Sequence, residues 1–357
     1  MGLEQLGWNR HFEAEFARLH GGDCMPARVS FAGRNAFRVL TGHGEMRAEL
    51  AGRLRFEAQC AADFPAVGDW VGVHPAPGEA PVIIQFVLPR RGRISRNAAG
   101  RATEEQVIAA NVDTLFVVAS LNQDFNPRRI ERYLAVAWES GAQPVLLLSK
   151  ADLCEDASAF QTELREVALG VPAHTVSAVS GEGMELLAPY LASGRTVALV
   201  GSSGVGKSTL INRLLGREVL ATREIREEDG RGRHATTARQ MIALPGGALL
   251  IDTPGMRELQ LWAAEDGLGR AFADIASIAV NCRFRDCTHT AEPGCAVLAA
   301  IAEGRLEEDR LESHRKLARE LAFQERKRDA ALASEHEQKW RAIHKQQRDI
   351  YKHRDKP

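Results

Sequence analysis

Between Thr196 and Leu215 a short apolar strand, a glycine-rich loop and a helical run follow one another without a break. Val197–Val200 is the strand, Gly201-Ser202-Ser203-Gly204-Val205-Gly206-Lys207-Ser208 the loop, and Thr209 opens the helical run to Leu215. The loop fits G-x-x-x-x-G-K-[ST], with the strand before and helix after that give the pattern its meaning. Its glycines let backbone N–H groups turn inward toward phosphate oxygens, and the positive end of the following helix adds to the field. Lys207 would reach the β- and γ-phosphates, and the Ser208 hydroxyl would sit on Mg²⁺. A nucleoside triphosphate therefore binds here, inside an α/β sheet.

The rest of the chain divides around this unit, and 357 residues call for more than one domain. Residues 1–25 look peripheral, with one weakly amphipathic helical stretch, Trp8–His20. Ala27–Phe31, Ala36–Leu40, Met46–Leu50, Asp69–Val73 and Val82–Phe86 read as five short strands broken by turn residues, which suits a small β-barrel. An oligonucleotide-binding (OB) barrel and a plain structural β-domain both fit that pattern. After Gly100 strands and helices alternate: Val112–Ala119, Pro127–Glu139, Pro144–Ser149, Ala157–Leu169, Ala173–Ser177 and Glu182–Leu191 lead into the phosphate loop. This is βαβ architecture with a parallel sheet buried on both faces. Beyond it come Glu224–Thr237, which has no hydrophobic period, the strands Arg239–Leu244 and Ala248–Asp252, and a helix near Leu268–Ala276.

Composition places the chain among soluble globular proteins, at 45% hydrophobic and 26% charged residues. No apolar run approaches a membrane span, and the N-terminal residues lack the basic and apolar regions of a signal peptide, so a cytoplasmic protein is expected. The formal net charge of −1 hides local asymmetry. Arg90, Arg91, Arg93, Arg96 and Arg101 fall in a stretch without an acid, and the tail from Arg326 is again basic. Such patches suit a polyanionic partner, although a solvated linker is the more frequent use of such a run.

Two motifs identify the nucleotide. Asp252-Thr253-Pro254-Gly255 ends a strand, where the carboxylate can hold Mg²⁺ through water and Gly255 lets the backbone approach the γ-phosphate. Ser149-Lys150-Ala151-Asp152 ends another, and Asp152 can accept from both N1–H and the exocyclic amine of guanine. Adenine offers no such pair of donors, so Asp152 selects GTP over ATP. Lys150 would lie along the base, and Ser177-Ala178, one βα unit later, would offer a backbone N–H to the guanine carbonyl. Behind the sheet, Cys282, Cys287, His289 and Cys295 fall within fourteen residues. Three thiolates and an imidazole at this spacing describe a closed tetrahedral site for one structural Zn²⁺.

These motifs resemble those of translation-factor-type GTPases in a rotated order, with the base-reading loops ahead of the phosphate loop. A barrel in front, Gly-Arg-His-x-Thr-Thr at 232–237 and a Cys/His cluster behind are similar to the ribosome small-subunit-dependent GTPase A family, over about residues 27–325. The resemblance implies an α/β fold of three parts. These are an N-terminal extension with an OB-type β-barrel (1–97), a circularly permuted P-loop GTPase domain (98–268) and a helical zinc-binding domain with a basic tail (269–357). It also implies a GTPase that binds the small ribosomal subunit and its rRNA, acts late in subunit maturation and is stimulated by the subunit. No membrane partner is expected, and the protein is expected to be a monomer.

Two departures from the family pattern bear on mechanism. Ser149 stands where Asn or Thr is usual, and Ala235 where another Thr is often found. Thr236 or Thr237 is then the residue that senses Mg²⁺ and the γ-phosphate, with Thr237 preferred. The position that in the GTPase template orients the attacking water is Met256, which cannot do so, and slow intrinsic hydrolysis follows. His234 is the candidate within the chain to position water once a partner orders its segment, and Arg226, Arg231 and Arg233 there suit RNA phosphates. The bland alternative for His234 is a solvated loop residue. Two other functions compete: a regulatory GTP-binding RNA-binding module whose hydrolysis is incidental, and an ATP-dependent enzyme, which Asp152 opposes.

Overall fold

The computed structural model describes residues 1–20, 23–33, 36–75, 77–78, 80–98, 101–218, 239–252, 265–327 and 330. His234, Thr236, Thr237 and Gly255 lie outside the described residues, as do Arg226, Arg231, Arg233, Met256 and the tail beyond 330.

Helix α1 (Arg10–His20) precedes strands β1 (Met25–Ala32), β2 (Phe37–Thr41) and β3 (Gly44–Leu50), then α2 (Gly52–Glu57), β4 (Trp70–His74) and β5 (Val82–Val87). The strands pair in the order β1-β2-β3-β5-β4, and β4 returns to β1, so the sheet closes into a five-stranded barrel. Alternation fills its interior: Ala27, Val29, Phe37, Val39, Val71, Val73, Val82 and Ile84 are buried in one cluster. The N-terminal residues are part of this unit rather than peripheral. Leu6 and Phe12 are buried, and Trp8 and Phe12 pack against Trp70 with ring centroids 4.7 and 5.8 Å away. Arg28, fully buried, locks the arrangement by donating to the carbonyls of Leu6, Gly68 and Asn111. Burial lowers its guanidinium to about 10, with Asp113 and Asp69 pulling the other way.

The arginine-rich stretch is a hairpin, β6 (Arg93–Ala98) and β7 (Arg101–Ala110), not an open basic linker. Arg90, just ahead of it, and Arg93 within it are answered by acids distant in sequence, and Arg96 donates to Gln106. Arg90 forks onto Asp69 at 2.8 and 2.7 Å and also donates to the carbonyls of Ala62 and Phe64. Arg93 pairs with Glu105 at 2.6 Å. A bidentate pair over a buried carboxylate is an internal staple, so Arg90 offers little charge to a partner.

The nucleotide-type sheet follows: β8 (Thr114–Ser120), α3 (Pro127–Glu139), β9 (Gln143–Ser149), α4 (Ser158–Val167), β10 (Ala173–Thr175), β11 (Thr196–Val200), α5 (Lys207–Leu215), β12 (Arg239–Ala243) and β13 (Leu249–Asp252). Its order is β10-β9-β8-β11-β13-β12, parallel except for β12. Period-two alternation feeds two cores. Leu146, Leu148, Val117, Val200 and Ile251 face the cluster that includes α3, whereas Val145, Leu147, Val118, Leu199 and Leu250 face that of α5. Fully burying one such side chain contributes about 1.5–3 kcal/mol. The segment Met184–Tyr190 winds as a 3₁₀ helix, because Pro189 has no N–H for an α-helical ladder. At its far edge β12 also pairs with β1, Phe31 opposite Gln240 and Ala32 opposite Arg239, so barrel and sheet are continuous.

Helices α6 (Glu265–Ala271), α7 (Ala273–Ala279) and α8 (Ala296–Ala302) and a last helix α9 (residues 308–327) form the C-terminal part. The single helix expected near Leu268–Ala276 is broken at Phe272, which is non-helical and buried. Leu268, Phe272, Ile275, Leu311, Leu317 and Leu321 share the core that covers α3. Among the described residues no helix is long and apolar enough to cross a membrane.

Candidate nucleotide and metal sites

The carboxyl ends of β8, β9, β10 and β11 lie side by side, and the loops that leave them carry the expected site residues. Open α/β sheets bind ligands at this edge. The phosphate loop turns through left-handed glycines, with φ of 78° at Gly204 and 94° at Gly206. Gly201 is required for space, since a Cβ there would stand 2.4 Å from the Val118 carbonyl oxygen. Val205 is buried and pins the loop to the core, while Ser203 and Gly204 at its crest are exposed. Lys207 opens α5 and curls back, its Nζ donating to Gly201 O at 2.8 Å and Ser202 O at 2.5 Å. Ser208 and Thr209 follow on the first turn, half-buried.

The base-reading residues are joined to this loop and to each other. Ser149 Oγ donates to Val205 O at 2.6 Å and lies 3.2 Å from Ala119 O, which ties the end of β9 to the phosphate loop. Lys150 adopts a left-handed conformation, φ 63°, and starts the short turn that presents Asp152. Buried Ser177 donates to Asp152 Oδ1 at 2.5 Å, so the two loops hold one carboxylate between them. Ala178 is half-buried beside it. Asp252 ends β13, close enough for its charge to feel Lys207. Burial pushes its carboxyl up against the pull of that ammonium.

One residue here escaped sequence reasoning. Asp124, in the turn between β8 and α3, accepts a 2.6 Å hydrogen bond from Ser202 Oγ of the phosphate loop. Seventy-eight residues separate the two, and no spacing rule connects them.

Cys282, Cys287, His289 and Cys295 converge, their ligand atoms all within 4.8 Å of one another. Cys282 Sγ lies 3.9 Å from Cys295 Sγ and 3.7 Å from His289 Nδ1, and Cys295 Sγ lies 3.4 Å from that nitrogen. A tetrahedral Zn²⁺ with ordinary bond lengths needs about 3.8 Å between sulfurs and about 3.6 Å between sulfur and nitrogen. The donor set fits. Burial raises the Cys282 thiol, but N–H groups of Ala296 and Val297 at the start of α8 outweigh it and lower it. Cys287 is pushed up to about 11, by burial first and then by its cysteine neighbours. Three thiolates stay deprotonated together only with a cation among them. Arg315 of α9 donates to the His289 carbonyl and holds that loop from outside.

Comparison with known proteins gives the same picture. Residues 87–262 match the family model described as RsgA GTPase. The chain is 48% identical to the Small ribosomal subunit biogenesis GTPase RsgA of Opitutus terrae, over 98% of this chain and 97% of that protein. Among solved structures, YjeQ from Thermotoga maritima superposes with a TM-score of 0.63 at 27% identity, over 84% of this chain and 99% of that one. YloQ, described as a circularly permuted GTPase, shares the fold with a TM-score of 0.60 at 21% identity, over 85% and 97% of the two chains.

Proposed function

The chain belongs to the RsgA GTPase family, and we propose that it hydrolyses GTP to GDP and phosphate late in small ribosomal subunit maturation, stimulated by the subunit it acts on. The observation that carries the guanine reading is the joined site. Asp152, steadied by Ser177, stands at the end of a strand whose Ser149 is bonded to the phosphate loop itself. Base selection and phosphate binding then report on one nucleotide.

In this reading the backbone of Gly201–Lys207 receives the α- and β-phosphates, Lys207 bridges to the γ-phosphate, and Thr209 completes the cradle at the helix start. Mg²⁺ would be held by Ser208 and Thr237, and by Asp252 through water, and would neutralise charge developing on the γ-phosphate. Gly255 would free the backbone to approach the γ-phosphate, and Thr236 is the alternative to Thr237 as its sensor. His234 positions the attacking water, since Met256 cannot. Cys282, Cys287, His289 and Cys295 would hold one Zn²⁺, which would supply folding energy to the C-terminal part. The chain acts as a cytoplasmic monomer of three units, 1–97, 98–268 and 269–357, and grips rRNA through the outer two.

GTP turnover with and without purified small subunits tests this. A low rate alone and a clear rise with the subunit are expected, and His234→Ala should lose the rise while GTP affinity is kept. A rate indifferent to the subunit would favour a regulatory GTP-binding module instead.

A further inference from the structure

Asp124 belongs to none of the motifs that define the nucleotide site, yet it is bonded into it. Ser202 Oγ donates to Asp124 Oδ2 at 2.6 Å. Arg129 Nη1, one turn into α3, lies 3.1 and 3.0 Å from the two carboxylate oxygens. The turn that carries Asp124 is itself braced. Ser120 Oγ donates to Asn122 Oδ1 at 2.7 Å, the Asp124 N–H donates to the same oxygen at 3.0 Å, and Asn126 caps α3 through the Arg129 N–H. Burial alone would raise the Asp124 carboxyl. Hydrogen bonds from Ser202 and Arg129, with the charges of Arg129 and Lys150, bring it below its ordinary value instead. It is an ionised acceptor at neutral pH, and such hydrogen bonds are about twice as strong as neutral ones.

Ser202 is the point where this matters. Its hydroxyl goes to Asp124 and its carbonyl takes the Lys207 ammonium at 2.5 Å. The loop is thus pinned on both flanks, at Val205 by Ser149 and at Ser202 by Asp124. The second pin cannot drift, because α3 is clamped further along. Arg310 donates to Glu131 at 2.8 Å, and Arg132 forks onto Glu320 of α9 at 2.8 and 2.6 Å.

We propose that Asp124 is a positioning residue for the nucleotide. Through Ser202 it holds the phosphate loop, and with it Lys207, in the shape that receives the β- and γ-phosphates, and α3 anchors that hold to the C-terminal helices. A bare carboxylate beside phosphates would repel them, but Arg129 and Lys150 offset its charge. Losing it is therefore felt as lost geometry rather than relieved repulsion.

The inference rests on the guanine-nucleotide reading, and release of a fluorescent GDP analogue from the full-length chain separates the two. Ser202→Ala and Asp124→Ala should each speed release about tenfold, the scale of one charge-assisted hydrogen bond. The double variant should be no faster than either single one, because both remove the same contact. Asp124→Asn keeps an acceptor for Ser202 without its charge and should recover part of the slow release. A purely structural defect would instead lower the melting midpoint of Asp124→Ala and leave Ser202→Ala normal. Wild-type release rates in Ser202→Ala, or effects that multiply in the double variant, would overturn the inference. A wild-type chain that fails to bind the analogue at all would overturn the guanine reading instead.

Discussion

Replacing Arg310 by Met should loosen the C-terminal helices more than any surface change there. The guanidinium is 3% exposed and reaches Glu131 at 2.8 Å, Asp274 at 2.5 and 2.8 Å and the Ala271 carbonyl at 3.0 Å. It also lies 4.7 Å from the centroid of the Phe272 ring. Glu131 is fully buried on α3, and after the substitution its side-chain partners among the described residues are Arg128, at 2.7 Å, and the Ser313 hydroxyl. Breaking one side of a buried ion pair costs about 3–5 kcal/mol, chiefly because the other charge is stranded. The surviving Arg128 contact puts this case near the lower limit, about 3 kcal/mol. At about 1.4 kcal/mol per factor of ten, local opening should become about a hundredfold more frequent. Amide hydrogen exchange reads this directly: α7 and α9 should exchange about a hundredfold faster while β9 and β11 stay protected. Adding Asp274→Asn removes the carboxylate whose side-chain contacts among the described residues both come from Arg310, and should recover much of the protection. Unchanged exchange in Arg310→Met, or a double variant as labile as the single one, would refute the ion-pair clamp.

Two further outcomes follow from the sites. Asp252→Asn should raise the melting midpoint of the nucleotide-free chain at pH 7 while cutting Mg²⁺-dependent turnover by about two orders of magnitude. The sign comes from burial, which raises the folded-state carboxyl despite Lys207. Stability from this group is present below the ordinary carboxylate range and lost as pH rises through the raised value, so at pH 7 the ionised form weighs against the fold. A lower midpoint would contradict that. Metal analysis of the purified chain should return roughly one Zn²⁺, and a strong chelator should melt the loop from Cys282 to Cys295 and expose its thiols to reagent. Thiols that react freely before chelation would exclude the closed site.

What the sequence discloses here is what local spacing can encode. The phosphate loop, the Asp152 loop and the Cys/His cluster are contiguous in the chain, and the structure assembles each within a few ångströms. The helix Pro127–Glu139 is read to the residue, because Asn126 and Pro127 fix its start by cap and by φ. Interactions that span the chain leave no such trace. Arg90 reads as one of a basic run until Asp69, 21 residues away, is seen beneath it. Arg310 and Glu131 stand 179 residues apart, and neither charge is unusual in a helix. Polar side chains far apart in sequence are matched by the packing of apolar faces, and an amphipathic pattern says which face is buried but not against what.

The order of the motifs has a geometric consequence that the strand pairing makes plain. Hydrogen bonding in a sheet depends on which strands are adjacent, not on which is covalently first, so β8, β11 and β13 can be neighbours in either connection. With the base-reading strands first, the chain enters the sheet at β8 and leaves it after β13. Both strands pair directly with β11, which delivers the phosphate loop. The barrel and its hairpin are attached to the entering strand, and the C-terminal helices follow the leaving one. Each appended part is therefore joined to a neighbour of β11, the barrel at the amino end of β8 and the C-terminal helices beyond the carboxyl end of β13, and each has a second contact. The barrel joins β12 through β1, and the C-terminal helices clamp α3 through Arg310 and Arg132. Had the phosphate-loop strand come first, a segment placed ahead of the sheet would enter at β11 and one placed behind it would leave from β10, at the opposite edge from β12. Permutation puts both attachments on the two strands that pair with β11, and it is the leaving one, β13, that ends at the carboxyl edge beside the phosphate loop.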